Sequence, residues 1–351
     1  MKRKGQKKSE HLGKNVWFGG LLFIVFAVVA LLVVKENPLR RSTPVSSALS
    51  ESKNQAAPKT LAKLLAVPPI QIQEYDIALL NLLCAEGLPG ANNFVPAQFL
   101  PTLDQWAQRV KAETERHLHR FRVNPAEYEH SEAYFRMLIM AVVLYEDFGI
   151  RYNPERVAIP SASVPNDHFF ADSRDIFIHG LLGDRKMGTC SSMPVLYLAI
   201  GRRLGYPLKL VTTKAHLFLR WEDAKERFNL EATGKGMNRY SDDHFKKWPF
   251  PVTEEEIRTE GYLKSLTAAE ELAVFLSLRG NCLKEAGRFD EAAASYTAAL
   301  RYAPDWNAYK ALLADVQIAK PRVQSRRQVS QTGSPLPTQT GPDPNPLRQV
   351  R

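Results

Sequence analysis

The feature that most restricts the possible fold is a helix signal that begins at a cysteine and is followed directly by three strand signals. Residues 188–205 combine a short loop, Cys190, a largely apolar run and a final glycine, which predict a loop and then a helix that starts at the cysteine. Strands are predicted at 208–213, 216–221 and 227–232, with polar turns between them. This order predicts an α+β fold in which the helix that carries Cys190 packs on an antiparallel sheet.

The position of Cys190 favours a nucleophilic thiol, because a helix start offers unpaired N–H groups and the positive end of the helix dipole. If the last two strands form a hairpin with an even-numbered loop, alternation puts His216, Asn229 and Glu231 on one face. Cys190, His216 and Glu231 then have the residue types of a nucleophile, a base and an orienting acceptor. Spacing alone favours a different interpretation: a small buried cysteine, a histidine bonded to the backbone and a solvated glutamate.

The same residues resemble the bacterial transglutaminase-like superfamily. The resemblance lies in GTCSSMPVLYLAIGRRLGYP at 188–207, KAHLFLRW at 214–221 and FNLEA at 228–232. It is a resemblance to the subgroup that has a helical region before this core and tetratricopeptide repeats after it, and it extends over roughly residues 73–320.

The resemblance implies a papain-like core and acyl transfer on peptide or amide bonds. It implies that Cys190 is the nucleophile, that His216 is the base, and that Glu231 stands where the family usually has an aspartate. Asn229 is the alternative orienting residue. Water or another amine would resolve the thioester, and hydrolysis is expected because nothing identifies a site for an acceptor amine. The backbone amide of Cys190 is expected to be one oxyanion donor.

Residues 16–34 predict a membrane anchor. These 19 residues carry no charge and, as a helix, can cross the hydrocarbon core of a bilayer. The alternatives are a cleaved signal peptide, which would have a shorter apolar region and a small-residue cleavage site, and a buried helix, which would have a polar face. The basic flank predicts a single-pass protein with its N-terminus in the cytoplasm and its soluble domain extracytoplasmic or periplasmic, held by this signal anchor.

Changes in composition divide the chain into segments. We expect a basic cytoplasmic flank at 1–15, the transmembrane anchor at 16–34, a linker at 35–68, a transglutaminase-like domain with an N-terminal helical subdomain at 69–265, a tetratricopeptide-like region at 266–319 and a disordered tail at 320–351. Apolar periodicity predicts the helices of the subdomain at 75–84, 103–121 and 130–148. The proline-rich segment 150–170 is expected to cross the surface without regular structure.

The C-terminal region has the spacing of a tetratricopeptide repeat. The signature positions and the turn between the helices are occupied by Gly280, Leu283, Gly287, Ala292, Tyr296, Ala299 and Pro304. A partial second repeat is expected to end before Pro321. Because a solenoid needs about three repeats to stand alone, the helical hairpin is expected to pack on the core, and binding of a protein partner is the alternative.

Charge and motif content narrow the function. The net charge of +10 is made up of +5 at 1–15 and +5 at 320–351, so the body is near neutral and nucleic-acid binding is not expected. No zinc spacing, P-loop or dinucleotide fingerprint occurs, and no cofactor or metal is predicted. Cys84 and Cys282 are expected to be reduced core residues, with a disulfide between them as the alternative.

Two functions fit these features. The first is a membrane-tethered thiol enzyme, a hydrolase, peptidase or acyltransferase, that acts on a protein or peptide substrate. The second is a catalytically inactive membrane-tethered scaffold that binds a protein partner through the tetratricopeptide-like hairpin. The reactivity of Cys190 and its distance from His216 separate the two functions, because the scaffold requires neither a reactive thiol nor a nearby base.

Overall fold

The computed structural model describes residues 57–156, 168–234 and 237–331, with side chains as far as 319. The predicted basic flank at 1–15 and the predicted anchor at 16–34 lie outside the described residues, as does 332–351 of the predicted tail. Within the described ranges, no helix is both long and apolar enough to span a bilayer.

The N-terminal layer of the described chain is helical. It contains α1 Leu61–Leu65, α2 Ile77–Ala85, α3 Leu100–Val123 and α4 Glu132–Val142. Helix α2 begins where the Asp76 carboxylate accepts the Ala78 N–H at 2.7 Å, and every residue of α2 is buried. The helices predicted at 75–84, 103–121 and 130–148 are confirmed, with the last continuing into a π-helical turn, Val143–Asp147.

The folded part begins earlier than predicted. The segment 35–68, predicted as a linker, includes α1, whose Leu64 side chain is fully buried. Tyr302, far along the chain, donates its hydroxyl to the Leu64 carbonyl at 3.3 Å. A helix this short gives no periodic apolar signal, so composition alone indicated a linker.

The segment 150–170, predicted to lack regular structure, contains a short strand. Strand β1, Arg151–Tyr152, pairs in parallel with β2, Met187–Gly188. Helices α5, Ser173–Ile176, and α6, His179–Leu182, lie between them in the sequence. A strand of two residues is too short to show alternation, so the sequence pattern cannot reveal it. The pairing brings Tyr152 next to the loop that precedes Cys190.

A helix and an antiparallel sheet form the centre of the fold. Helix α7, Met193–Arg203, packs against β3 Leu208–Thr213 and β4 His216–Glu222, and β5 Arg227–Leu230 follows β4 in the same antiparallel sheet. Glu222 pairs with Arg227, so the turn between β4 and β5 has the even length that the alternation argument requires. The α+β class and the strand positions are confirmed. The helix start is different, because α7 begins at Met193 and Cys190 lies in the turn before it.

The C-terminal part of the described chain is also helical. It contains α8 Asp242–Phe245, α9 Glu254–Thr259, α10 Ala268–Glu285, α11 Phe289–Tyr302 and α12 Asn307–Gln331. Helices α10 and α11 form a hairpin whose turn contains Gly287 at φ +71°. Helix α12 extends beyond its predicted end before Pro321, into the segment predicted as a disordered tail. A proline removes one backbone donor, and the turns on either side of it can continue a long helix.

The hairpin packs on the rest of the fold. Glu271 of α10 is fully buried and accepts hydrogen bonds of 2.6 and 2.8 Å from Arg202 of α7. Arg279 donates to the Cys84 carbonyl at 2.9 Å, which joins α10 to α2. Cys84 and Cys282 are both buried and both free. The prediction that the hairpin rests on the core is therefore confirmed.

Candidate functional site

Cys190 lies in a turn that neighbouring side chains hold in place. The Ser192 hydroxyl accepts the Thr189 N–H at 3.0 Å and donates to the Asp175 carbonyl at 2.9 Å. The Thr189 hydroxyl donates to the same carbonyl at 2.8 Å. Both hydroxyls belong to buried residues, whereas Cys190 itself is half-buried and the other two cysteines of the chain are buried. The turn thus presents the most accessible of the three thiols.

His216 is the first residue of β4 and forms a short hydrogen bond with Glu231. The distance between His216 Nε2 and Glu231 Oε2 is 2.6 Å, and both side chains are buried. The other carboxylate oxygen, Oε1, accepts the Thr233 N–H at 2.9 Å and the Thr233 hydroxyl at 2.6 Å. The imidazole and the Trp248 indole pack edge to face with 4.7 Å between ring centroids. These contacts fix the orientation of the ring.

The charges at this site stabilise one another. Burial alone would lower the pKa of His216, but hydrogen bonds to Cys190 and Glu231 and their negative charges raise it to about 9. Burial would raise the pKa of Glu231, but His216 and the hydrogen bonds from Thr233 hold it below its ordinary value. Both directions describe an imidazolium paired with a carboxylate. Because Nε2 is hydrogen-bonded to Glu231, Nδ1 is the ring nitrogen that remains for the Cys190 thiol.

Tyr152 is a site residue that sequence reasoning missed. Its side chain lines the same cavity as Cys190, and its hydroxyl donates to the Arg156 carbonyl at 3.1 Å. Burial raises the pKa of Tyr152, as does the nearby negative charge of Cys190, while a hydrogen bond from the Cys190 backbone N–H acts in the opposite direction. Tyr152, which pairs with Gly188 on β2, therefore lies close to Cys190 and to the amide that we expect to act as an oxyanion donor. Only the pairing of β1 with β2 reveals this proximity.

Asn229, the alternative orienting residue, contacts a different group. Its side-chain oxygen accepts from Arg220 at 2.7 Å, and its Nδ2 donates to Asp242 at 2.7 Å and to the Tyr240 carbonyl at 3.1 Å. The strand register explains the difference, since Asn229 is the direct partner of Arg220. Of the two candidate acceptors, Glu231 is the one that bonds to His216.

A cavity of about 760 Å³ opens in front of the thiol. Tyr152, Cys190, His216 and Trp248 line it on the side of the sheet. Residues of α10 and residues around the start of α12, including Trp306, complete the lining. A cavity of this size is in the range of ordinary small-molecule or peptide sites.

Metal-binding side chains do not cluster in the part of the chain that the structure describes, where no group of three or more His, Cys, Asp or Glu could hold an ion. The two histidines of α3, His117 and His119, have ring centroids 6.5 Å apart.

A family model described as the transglutaminase-like superfamily matches residues 97–258. The matched region contains Cys190, His216, Glu231 and Tyr152, and it ends before the helical hairpin. Comparisons with curated proteins and with solved structures gave no significant match. This region of the chain is thus similar to that superfamily, whose proteins are typically cysteine-dependent acyltransferases or proteases.

Proposed function

We propose that the protein is a thiol-dependent enzyme that transfers or hydrolyses acyl groups of peptide or amide bonds. Cys190 is the nucleophile, His216 the base and Glu231 the orienting acceptor. The observation that carries the proposal is the 2.6 Å bond between His216 and Glu231, because it orients an imidazole that lines the same cavity as the Cys190 thiol. That arrangement supplies a nucleophile, a proton carrier and a group that fixes the carrier's tautomer.

The reaction follows from this arrangement in two steps. In the first, the ionised Cys190 sulfur attacks the carbonyl carbon, a C–S bond forms, the C–N bond breaks, and the Nδ1 proton of His216 passes to the leaving amine. In the second, neutral His216 takes a proton from water, the hydroxide oxygen attacks the thioester, and the carboxylic acid leaves as the thiolate and imidazolium are restored. An amine in place of water gives transamidation. Throughout, Glu231 stabilises the charged ring.

The oxyanion that forms in each step needs hydrogen-bond donors. The Cys190 backbone N–H is one. The Tyr152 hydroxyl is a side-chain donor in the lining of the same cavity, which makes Tyr152 our candidate for the second donor.

The proposal extends to location and partners. Residues 16–34 anchor the chain in a membrane, and the basic flank keeps the N-terminus in the cytoplasm, so the catalytic region faces the extracytoplasmic side. Substrates are then proteins or peptides at that surface, and the helices at 266–319 are of tetratricopeptide type. A reporter enzyme fused after Arg351 tests the topology, since activity confined to the cytoplasm would contradict it.

The reactivity of the three cysteines tests the catalytic proposal. Full-length protein in detergent is labelled with iodoacetamide between pH 5 and 9, and each cysteine is followed by peptide mass spectrometry. Cys84 and Cys282 are internal controls, because burial raises the pKa of each thiol to about 12. We expect Cys190 to be labelled first, with efficient labelling below pH 7 that His216→Ala slows.

A matched control uses another histidine. His168→Ala removes an exposed imidazole that bonds to Glu285 at 2.7 Å, and we expect it to leave the labelling of Cys190 unchanged. If His216→Ala labels like the wild type, Cys190 is not activated and the catalytic proposal fails. The inactive scaffold that binds a protein partner is then the remaining function.

A further inference from the structure

The cavity in front of Cys190 has two walls of different origin. One wall belongs to the region that matches the transglutaminase-like superfamily and carries Cys190 and His216. The other lies outside that region and includes Leu278 of α10, Trp306 and Tyr309. The C-terminal helices therefore do more than support the core, because they enclose the space in which a substrate of Cys190 must lie.

The second wall is held rigidly against the sheet. The Leu263 N–H donates to the Thr212 carbonyl at 2.9 Å, and the Leu266 N–H donates to the Leu210 carbonyl at 3.0 Å, so the chain leading into α10 runs along β3. Gly261, at φ +64°, lets the Trp306 indole approach so closely that an added Cβ would lie 2.6 Å from the ring. A wall fixed in this way can discriminate between substrates.

The cavity is aromatic and offers no free charge. Rings reach it from several sides, among them Trp248, Phe250, Tyr262, Trp306 and Tyr309. The charged groups among its described lining residues all have partners. His216 bonds to Glu231, Arg156 bonds to Asp175 at 3.1 Å, and Glu260 accepts the Ala308 N–H at 2.6 Å. Such a lining favours an uncharged group with a large apolar surface, and aromatic rings pack best against other rings.

One polar group in the cavity is unused. The Thr212 hydroxyl is buried and has no hydrogen-bond partner among the described residues, yet Thr212 lines the cavity. A buried hydroxyl without a partner is costly unless a ligand supplies one. A peptide amide next to the reacting carbonyl would be such a partner, whereas a plain hydrocarbon chain would not.

We propose that the C-terminal helices complete an acyl-donor subsite for peptides with an aromatic side chain next to the reacting carbonyl. The aromatic side chain packs against Trp306 and Leu278, and the amide that precedes it bonds to the Thr212 hydroxyl. This inference rests on the proposed function, because it names the substrate class of the same thiol.

The test uses p-nitrophenyl esters that differ only in the acyl group: N-acetylphenylalanine, N-acetylglycine and 3-phenylpropanoate. Cys190 attacks the ester carbonyl, the C–O bond breaks, p-nitrophenolate leaves, and water hydrolyses the thioester. Each kcat/KM, measured on the full chain, is divided by the uncatalysed hydrolysis rate of the same ester. We expect this ratio to be about 10- to 100-fold higher for the phenylalanine ester than for the glycine ester, and about 10-fold higher than for the phenylpropanoate ester.

Substitutions test which contact produces each preference: the packing of the aromatic side chain, or the hydrogen bond of the amide. Trp306→Leu should reduce the preference for phenylalanine over glycine, and Leu278→Ala should do so even if Trp306→Leu fails to fold. Thr212→Val should reduce only the preference for the ester with an amide. Thr114→Val is the matched control, because Thr114 of α3 also has a buried hydroxyl without a partner among the described residues but does not belong to the described cavity lining.

The outcomes separate the two proposals. If no ester acylates Cys190 faster in wild type than in His216→Ala, the proposed function fails. If the esters react but phenylalanine has no advantage, or if its advantage survives both Leu278→Ala and Thr212→Val, the function stands and the subsite inference is overturned.

Discussion

Two polar clusters form on the same face of β4 and β5, and they differ in which side-chain groups they leave available for chemistry. One consists of His216 and Glu231, and the other of Arg220, Asn229 and Asp242. Alternation along the strands puts His216 and Arg220 on the same side of the sheet. Each cluster pairs a cation with a carboxylate, so residue types alone do not distinguish them.

The difference lies in the hydrogen bonds. Arg220 is 1% exposed and donates to the Asn229 side chain, the Leu263 carbonyl, the Ser265 hydroxyl and the Asp242 carboxylate. His216 bonds to the Glu231 carboxylate through Nε2, so its other ring nitrogen, Nδ1, is available to the Cys190 thiol in the lining of an open cavity. A buried charge with four of its five N–H donors in use joins parts of the fold. A buried charge with one nitrogen directed at a thiol is equipped for proton transfer.

The largest expected effect is a loss of catalytic activity when the His216 cluster is disrupted. His216→Ala should lower kcat/KM for a p-nitrophenyl ester by about 10³- to 10⁴-fold, because the sulfur loses both its proton acceptor and its counter-ion. The unfolding midpoint is measured beside the rate to exclude loss of the fold. A rate within about threefold of wild type would show that both clusters are structural.

The next effect concerns stability. Arg220→Met should lower the free energy of unfolding by about 3 kcal/mol, because it leaves a buried carbonyl and the Asn229 oxygen without donors. Arg227→Met is the matched control: Arg227 is about half exposed, bonds to Glu222 at 3.1 Å and should cost less than about 1 kcal/mol. Urea denaturation measures both. Equal losses of unfolding free energy in the two variants would mean that the buried position of Arg220 adds nothing to its contribution to stability.

The sequence predicts the face of the sheet but not the partners on it. Period-two alternation places His216, Asn229 and Glu231 together because it depends only on strand geometry and an even loop. Which acceptor meets His216 depends on the register, and the register pairs Asn229 with Arg220. Charge and spacing alone therefore left Asn229 and Glu231 as alternatives.

Other parts of the site depend on contacts between distant segments. The helix start is predicted close to Cys190 because Pro194 and the glycine that ends the helix are local signals. The observed helix begins three residues later, at Met193, because the hydroxyls of Thr189 and Ser192 bond to the Asp175 carbonyl and hold the preceding residues in a turn. Tyr152 comes close to Cys190 through a strand too short for periodicity, and Trp306 enters the same cavity from a segment outside the matched region. No local pattern encodes either contact.

A smaller effect tests the assignment of the orienting residue. Glu231→Gln should lower kcat/KM by about 10- to 100-fold, since glutamine can still accept a hydrogen bond but cannot stabilise the imidazolium. Asn229→Ala belongs to the other cluster, so it should affect stability and leave kcat/KM of the folded protein within about twofold of wild type. The reverse order, with Asn229→Ala the more damaging to the rate, would move the orienting role to Asn229.

The smallest expected effect is a pH dependence of stability that only the His216 cluster can produce. The folded pKa of His216, about 9, lies above its ordinary value of 6.5, so the ion pair contributes fully below pH 6.5 and is lost as the pH rises through about 9. In the wild type, the free energy of unfolding should fall over this window by about 1–2 kcal/mol more than in Glu231→Gln, because Cys190 supplies part of the shift in both proteins. Arg220→Met, which leaves the ion pair intact, should keep the wild-type slope. Parallel pH profiles for wild type and Glu231→Gln would mean that His216 is neutral in the folded protein, and the distinction between the two clusters would then rest on the cavity alone.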